Sequence, residues 1–515
     1  MQKVVRFQVL YLEKGTNMQN FNSNQKLIYN PELRFKKEEH RCIAYTIDDF
    51  FFSPDNVTVL LPQEVIMLLL FDGKHNIDEI TTNMAYIFDA QHADKNTKQF
   101  LLNSLENLET RMNKTPPVLP VDEVPEAKVK EAQNRYLDPS YFIIPKDKII
   151  FNPRDLRLSA PLSVNYNVMT TCGFKCKYCY HPLMPVKGLI SLERLNVIFK
   201  ELKELGCESF MLTGGDPMLR PDIDEIMISL YKNNLLYSLS TKSIIPENRI
   251  IKLKEKAGLR GMQISLDSSN NSIATNLLGI KDSQYVQSVL QMIKTLQKHG
   301  IETRVKAVLT SYNADGLEEY LNTIADLGIK RMQVVQYGRS GARHTDDLYP
   351  GDKQMKEASA VVQKFKEEHK NIELTAGGFG VSYDEPVVVE KITKENIFSK
   401  RAICNAGRFS LTLMPNGKVF VCEQLPYSEE FVLGDLKTQS VEEAWNSEKM
   451  KKWLSPPDRN IFVEDSPCKN CPDEYYNECH KTYSRCLRFI YEHTGNTHTA
   501  DIKCPRYSFD KRRIT

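Results

Sequence analysis

Long apolar runs are what this 515-residue sequence lacks first. The longest, Val65 to Phe71, falls far short of the about 20 residues needed to cross a bilayer. An excess of charge is missing too: 68 Lys and Arg stand against 66 Asp and Glu, a net of +2. That balance speaks against the basic stripe of a nucleic-acid protein and against electrostatic docking on a membrane. The opening residues, MQKVVRFQVLYLEKG, hold no sustained apolar segment and no small-residue cleavage site, so no signal peptide is expected and the cytoplasm is the expected compartment. No strict internal repeat is visible. What remains is an ordinary globular composition, 41% hydrophobic and 26% charged. At roughly 150 residues per domain it is long enough for about three domains.

Cysteine is not scarce. There are 12, and in a reducing compartment they point to metal rather than to disulfides. They are unevenly placed: Cys42 and Cys207 stand alone and read as small buried residues. Three fall between Cys172 and Cys179, and seven between Cys404 and Cys504. Such clusters read as ligand sets.

The chain divides into three parts with two connecting stretches. Residues 1–112 open with a loose polar stretch to about Lys37. β-like runs follow at Ile43–Ile47 and Val57–Leu61, then an apolar helix from Pro62 closed by Asp72-Gly73. A second helix starts near Ile77 with Ile77, Ile80 and Met84 on one face. A third spans about Lys95 to Met112, with Phe100, Leu101, Leu105 and Leu108 at helical spacing. Few strands and three helices suit a small winged-helix unit. Residues 113–158, with Pro116, Pro117, Pro120 and Pro125, read as a linker. Residues 159–345 alternate strands (Val164–Met169, Ser209–Leu212, Tyr237–Ser240, Met262–Leu266, Arg304–Leu309, Met332–Gln336) with amphipathic helices. Six β/α units in this rhythm make an α/β fold with a parallel sheet, whose chemistry belongs at the C-terminal strand ends. Residues 346–401 bridge to a last part, 402–515. That part has little apolar periodicity and needs metal as a staple.

Cys172, Cys176 and Cys179 share one loop directly after the first of these strands. Thiolates are the usual ligands of iron–sulfur clusters. Three of them hold three irons of a [4Fe–4S] cube and leave the fourth open to chelate a substrate. Tyr178 is placed to pack against the cofactor. The alternative is a zinc knuckle. The spacing Cys-x3-Cys-x-aromatic-Cys resembles the signature of the radical S-adenosylmethionine (SAM) superfamily. The resemblance covers about Pro161 to Ser340 and implies a partial (β/α)6 TIM barrel in which that cluster cleaves SAM reductively. Gly214-Gly215-Asp216-Pro217 resembles the family's Gly-Gly-Glu-Pro motif, which binds the SAM amino group, with Asp for Glu. By the same resemblance Ser238, Ser240 and Thr241 are candidates for the SAM carboxylate or ribose, and Ser265 and Asp267 for the ribose. Arg304 is a candidate carboxylate partner, and Gly338-Arg339-Ser340 is similar to a segment near the adenine.

The arrangement of Cys404, Gly417, Cys422, Cys468-x2-Cys471, Cys479, Cys486 and Cys504 resembles the SPASM domain of radical SAM enzymes that modify peptides. It implies two auxiliary [4Fe–4S] clusters, one on Cys404, Cys422 and Cys486, the other on Cys468, Cys471, Cys479 and Cys504. Three clusters in all are therefore expected. The gaps from Cys471 to Cys479 and from Cys479 to Cys486 exceed the family pattern. Ser410 stands where some relatives supply a further cysteine, which leaves the first auxiliary cluster an open iron. Zinc ribbons, or clusters that only staple the fold, are the alternatives.

Leu70-Phe71-Asp72-Gly73-Lys74 and Ile77-Asp78-Glu79-Ile80 resemble the PqqD-like peptide-recognition domain of peptide maturases, which takes a leader peptide as an added strand. DNA binding is the competing reading of a winged helix, but Glu106 and Glu109 offset Lys95, Lys98, Arg111 and Lys114; dimerisation is another. Together the resemblances imply a maturase of a ribosomally made precursor peptide that installs a cross-link, a thioether by preference. It would draw electrons from a flavodoxin or ferredoxin and use neither nucleic acid nor membrane. The other readings are carbon–carbon cross-linking or splicing, anaerobic sulfatase maturation, and an iron–sulfur redox-sensing regulator that binds DNA.

Overall fold

The computed structural model describes residues 24–47, 54–87, 95–112, 115–135, 137–153, 155–181, 186–340, 343–377, 404–483, 485–501 and 504. The start of the polar stretch (1–23) and the end of the bridging stretch (378–401) lie outside the described residues. The chain forms two compact units, divided near Ser159.

In the first unit two three-stranded antiparallel sheets form. One joins β1 (Lys26–Tyr29), β5 (Asp72–Asn76) and β6 (Val118–Pro120); the other joins β2 (Leu33–Lys37), β3 (Cys42–Ile47) and β4 (Pro54–Leu60). Helices α1 (Pro62–Leu69), α2 (Ile77–Ile87) and α3 (Lys95–Arg111) fall where the periodicity puts them. Glu64 fixes the start of α1 by accepting from Leu61 N at 2.8 Å, and it takes Arg111 at the end of α3 at 2.8 Å. Ile77, Ile80, Met84, Leu101, Leu105 and Leu108 enter the core, with Cys42. Phe100 does not: it is 65% exposed, one helical step off the stripe that its neighbours share.

Two expectations are corrected here. Residues 26–37 are not loose, because β1 and β2 supply a strand to each sheet. Nor is 113–158 a linker. Val118, Leu119 and Pro120 pair with Tyr29, Ile28 and Leu27. Helix α4 (Glu126–Asn134) then packs back, with Tyr29 Oη donating to Ala132 O, and Phe142 is buried in the same core. The prolines were the misleading signal. On β6, at a sheet edge, a missing N–H costs no ladder bond.

In the second unit seven parallel strands run in sequence order: β7 (Ser163–Met169), β8 (Ser209–Gly214), β9 (Leu236–Thr241), β10 (Gly261–Ser265), β11 (Glu302–Leu309), β12 (Arg331–Gln336) and β13 (Glu373–Gly377). The bridging stretch thus holds the helix that completes the sixth β/α unit, α5 (Asp352–Glu368), and a seventh strand, β13. On the far side of β7 the cysteine-rich part adds β14 (Ser410–Leu413), parallel to β7, then β15 (Lys418–Phe420) and β16 (Val432–Asp435), completing ten strands.

The two faces of this sheet differ. Tyr166, Leu212, Leu239, Ile264, Val305 and Val334 lie in the large apolar core. The alternate positions are polar from strand to strand: Asn167 pairs with Thr213, Ser240 with Gln263, Gln263 with Arg304, Arg304 with Arg331, and Arg331 with Glu373. A barrel filled by its own side chains needs Val, Ile and Leu there. Polar side chains on that face suit contact with a ligand rather than a packed interior.

Because Phe142 closes the core of the first unit, Phe142→Ala in the full chain is expected to cost about 3–5 kcal/mol. Denaturant unfolding and early proteolysis before residue 160 check this. A residue in a linker would change neither.

Candidate active site

The loop that carries Cys172, Cys176 and Cys179 leaves the C-terminal end of β7, and several elements fix its backbone. Gly214, at φ +136°, and Gly215 end β8 against it, and Gly215 N donates to Met169 O at 2.7 Å. A Cβ on Gly215 would lie 1.9 Å from Thr171 O, and one on Gly214 2.2 Å from Met169 O. The glycines therefore serve the approach of two backbones. Lys175 N and Lys177 N donate to Leu278 O and Leu277 O at 2.9 Å. From beyond β12, Ser340 Oγ donates to Cys179 O at 2.9 Å and Arg343 to Cys176 O at 3.2 Å.

The three thiols act on one another electrostatically. Burial pushes Cys176 up to about 12 and raises Cys172 and Cys179, while Lys242 pulls all three back. A donor set of three soft sulfurs beside a fixed cation fits an anionic iron–sulfur cluster. Among the described residues no three His, Cys, Asp or Glu side chains close on a single metal-ion position.

Several motif residues are occupied by the protein itself. The Asp216 carboxylate accepts from Met218 N, Thr241 Oγ1, Lys242 N and Ser243 N at 2.7–3.1 Å. It therefore clamps the loop after β8 to the loop after β9, with Pro217 starting the next turn. Thr241 is spent on that clamp, and Ser238 is fully buried. Asp267 accepts from Val308 N at 2.9 Å and from the buried Tyr178 hydroxyl. Arg339 Nε donates to Glu492 O at 2.7 Å, next to Gly338. Ser240 and Ser265, 3.4 Å apart, are partly exposed.

Sequence reasoning missed four side chains here. Lys242 lies 3.7 Å from Asp267 and 5.6 Å from the Tyr178 ring centre. Burial opposes its charge, but Asp267, Cys176, Asp216 and Cys179 together raise its pKa. Lys306, beside Arg304, is lowered by burial and by Lys242 and Arg304. Gln263 donates to Ser240 Oγ at 2.8 Å, and its buried Oε1 has no hydrogen-bond partner among the described residues. Glu423, next to Cys422, accepts from Thr213 Oγ1 at 2.6 Å, and burial raises its pKa. Burial raises the Tyr180 pKa, with Glu423, Cys179 and Cys422 acting in the same direction. Polar residues at strand ends follow no period, which is why only a three-dimensional neighbourhood reveals them.

The other cysteines gather in two sets. Cys404, Cys422 and Cys486 act on one another, with Cys422 pushed up to about 12 by burial. Cys468 interacts with Cys479 and Cys504, and packs with Cys471, Cys504, Phe462 and Tyr476. Ser410 is buried on β14. Cys207 is buried, its thiol directed at Leu162 O.

Residues 166–333 match the model of the radical SAM superfamily, and residues 404–472 match SPASM, an iron–sulfur cluster-binding domain. The PqqA peptide cyclase of Gluconobacter oxydans (strain 621H) is 22% identical over 353 residues, 67% of this chain and 91% of the relative. That of Granulibacter bethesdensis (strain ATCC BAA-1260 / CGDNIH1) is 22% identical over 321 residues, 61% of this chain and 80% of the relative. Among solved structures, Streptococcus suis SuiB bound to SAM matches with a TM-score of 0.58 at 16% identity, over 93% of this chain and all of that one. SuiB bound to its precursor peptide SuiA matches at 0.56 and 15%, with the same coverage. At such identities the likeness shows the fold. No helix of the described residues is long and apolar enough to cross a membrane.

Two outcomes are expected. Gly215→Ala should displace the cysteine loop, read as loss of iron with the secondary structure kept. Glu492, in the helix Leu487–Thr494, has a folded pKa raised to about 7, chiefly by burial. Its neutral form favours folding, so stability falls as pH rises from the ordinary glutamate range through about 7. Glu492→Gln should flatten that fall, by on the order of 2–3 kcal/mol at pH 8 in denaturant titrations.

Proposed function

We propose, for an enzyme that carries a radical SAM domain followed by an iron–sulfur cluster-binding domain, that it matures a precursor peptide by installing an intramolecular cross-link, a thioether by preference. The observation that carries this reading is the hydrogen bond from Thr213 Oγ1 at the end of β8 to Glu423, the neighbour of Cys422. It ties the cysteine-rich part to the same strand end whose Gly214 and Gly215 pack against the Cys172–Cys179 loop. The curated relatives are named for cyclising a peptide, which favours a ring-forming product.

When bound, a [4Fe–4S] cluster and SAM supply reductive cleavage of SAM and a radical that removes one hydrogen atom from the peptide. Cys172, Cys176 and Cys179 hold the cluster. Lys242 and Arg304 would serve the SAM carboxylate, and Ser240, Ser265 and the unsatisfied Oε1 of Gln263 the ribose. Cys404, Cys422 and Cys486 hold one auxiliary cluster, and Cys468, Cys471, Cys479 and Cys504 another, so three clusters serve the chain. Closing the ring also releases a proton and an electron. Glu423, next in sequence to Cys422, would take the proton, and a cluster held by Cys404, Cys422 and Cys486 would supply the one-electron acceptor. The N-terminal unit binds the leader as an added strand, in the manner of PqqD-like domains. A flavodoxin or ferredoxin delivers the reducing electron.

Co-expression with a candidate precursor peptide tests the reading. The product should be lighter by two hydrogens, and Cys176→Ala should return the peptide unmodified. An unmodified peptide from the wild-type chain would contradict peptide maturation. Glu423→Gln is expected to lower cross-link yield at least about tenfold while 5′-deoxyadenosine release continues, since loss of a positioned base typically costs a hundredfold or more.

A further inference from the structure

Cys479 lies on a π-helix, Glu478–Tyr483, in the stretch leading to Cys486. Such widened turns are rare and recur at functional sites. Arg485 stands just beyond it, 9% exposed. Its Nη1 donates to Thr497 O at 3.0 Å and to Thr499 O at 2.7 Å, and its guanidinium carbon lies 4.6 Å from the centre of the Phe462 ring. Phe462 belongs to the small core that contains Cys468 and takes Cys471 and Cys504 at its margin. The side chain is thus pinned from two sides at the second cysteine set, while the next residue, Cys486, belongs to the first.

Arginine keeps its charge in folded proteins. Burying that charge costs free energy unless an opposite charge faces it. Among the described residues no carboxylate lies within ion-pair distance of Arg485; the negative groups acting on it are, in order, Cys468, Cys479, Tyr476 and the buried Asp501. A cluster on four thiolates is anionic, and each electron added makes it more so. Net charge around a cluster is one of the factors that set its potential.

We propose that Arg485 is a built-in counter-cation for the second cysteine set and raises the reduction potential of the iron–sulfur cluster held there. This rests on the reading that Cys468, Cys471, Cys479 and Cys504 hold such a cluster. Arg485 is a positioning residue: it acts on the metal site through charge. A cluster tuned upward in this way retains an electron leaving the substrate.

The test is a potentiometric titration followed by electron paramagnetic resonance on anaerobically reconstituted full-length chain, with iron counted in each sample. Arg485→Gln keeps hydrogen-bond donors and removes the charge; Arg485→Lys keeps the charge and loses the two-carbonyl brace. Expected is a shift of one auxiliary signal to lower potential in Arg485→Gln, with Arg485→Lys close to wild type. The shift corresponds to about a tenfold lower reduced-to-oxidised ratio at fixed solution potential, 59 mV for a one-electron couple. Loss of iron from the Gln variant alone also supports the proposal, because charge is then what the site requires. Equal shifts in both variants, loss of iron from both, or no shift in either would overturn it and leave Arg485 a brace for the 497–499 segment. A wild-type chain without a second auxiliary signal would instead sink the cluster reading beneath it, and the proposal with it.

Discussion

Two residues without side chains decide where three sulfurs sit. At Gly214 and Gly215 the end of β8 runs so close to the cysteine loop that an added Cβ would fall within 1.9–2.2 Å of a backbone oxygen. The other restraints build on that approach. The Asp216 carboxylate, next in sequence, gathers the loop after β9, and Ser340 and Arg343 reach across from beyond β12 to two cysteine carbonyls. The loop is therefore held by the ends of three strands besides its own. Such preorganisation is what a site needs when its ligands must not wait on a cofactor to order them.

The sheet divides the remaining work between its faces. Outward positions are aliphatic or aromatic and bury the helices, which gives the unit its stability. Many inward positions are polar, and Gln263 donates to Ser240 Oγ on the next strand. Gln263 Oε1 is buried with no hydrogen-bond partner among the described residues, a cost of about 1–3 kcal/mol that a ligand group would remove. Lys242, beside Asp267, and Lys306, next to Arg304 on the same face, add basic side chains there. A fold selected for stability alone has little use for either feature.

Much of this was legible in the sequence. The six central strands are legible because their helix-facing positions are apolar and recur between amphipathic helices, and Cys172, Cys176 and Cys179 announce themselves by spacing. The failures have physical causes. Val118–Pro120 looked like linker because proline is read as a breaker, yet an edge strand tolerates it. Residues 26–37 looked loose because a strand of four or five residues in a small sheet carries too few alternations to register. Asp216, Thr241 and Asp267 stand where a ligand motif would put them, yet their polar atoms hold loops together. Lys242, Lys306, Gln263 and Glu423 carry no local signature at all. Their meaning comes from groups that are distant in sequence.

The central claim is that Cys172, Cys176 and Cys179 hold a cluster whose remaining metal corner accepts SAM. Electron paramagnetic resonance on the reduced, anaerobically reconstituted chain, before and after adding SAM, tests it most directly. The account requires roughly twelve irons per chain, three cubes of four, and one signal that changes shape when SAM is added and vanishes in Cys176→Ala. Zinc in place of iron at those cysteines, or a spectrum indifferent to SAM, would contradict it.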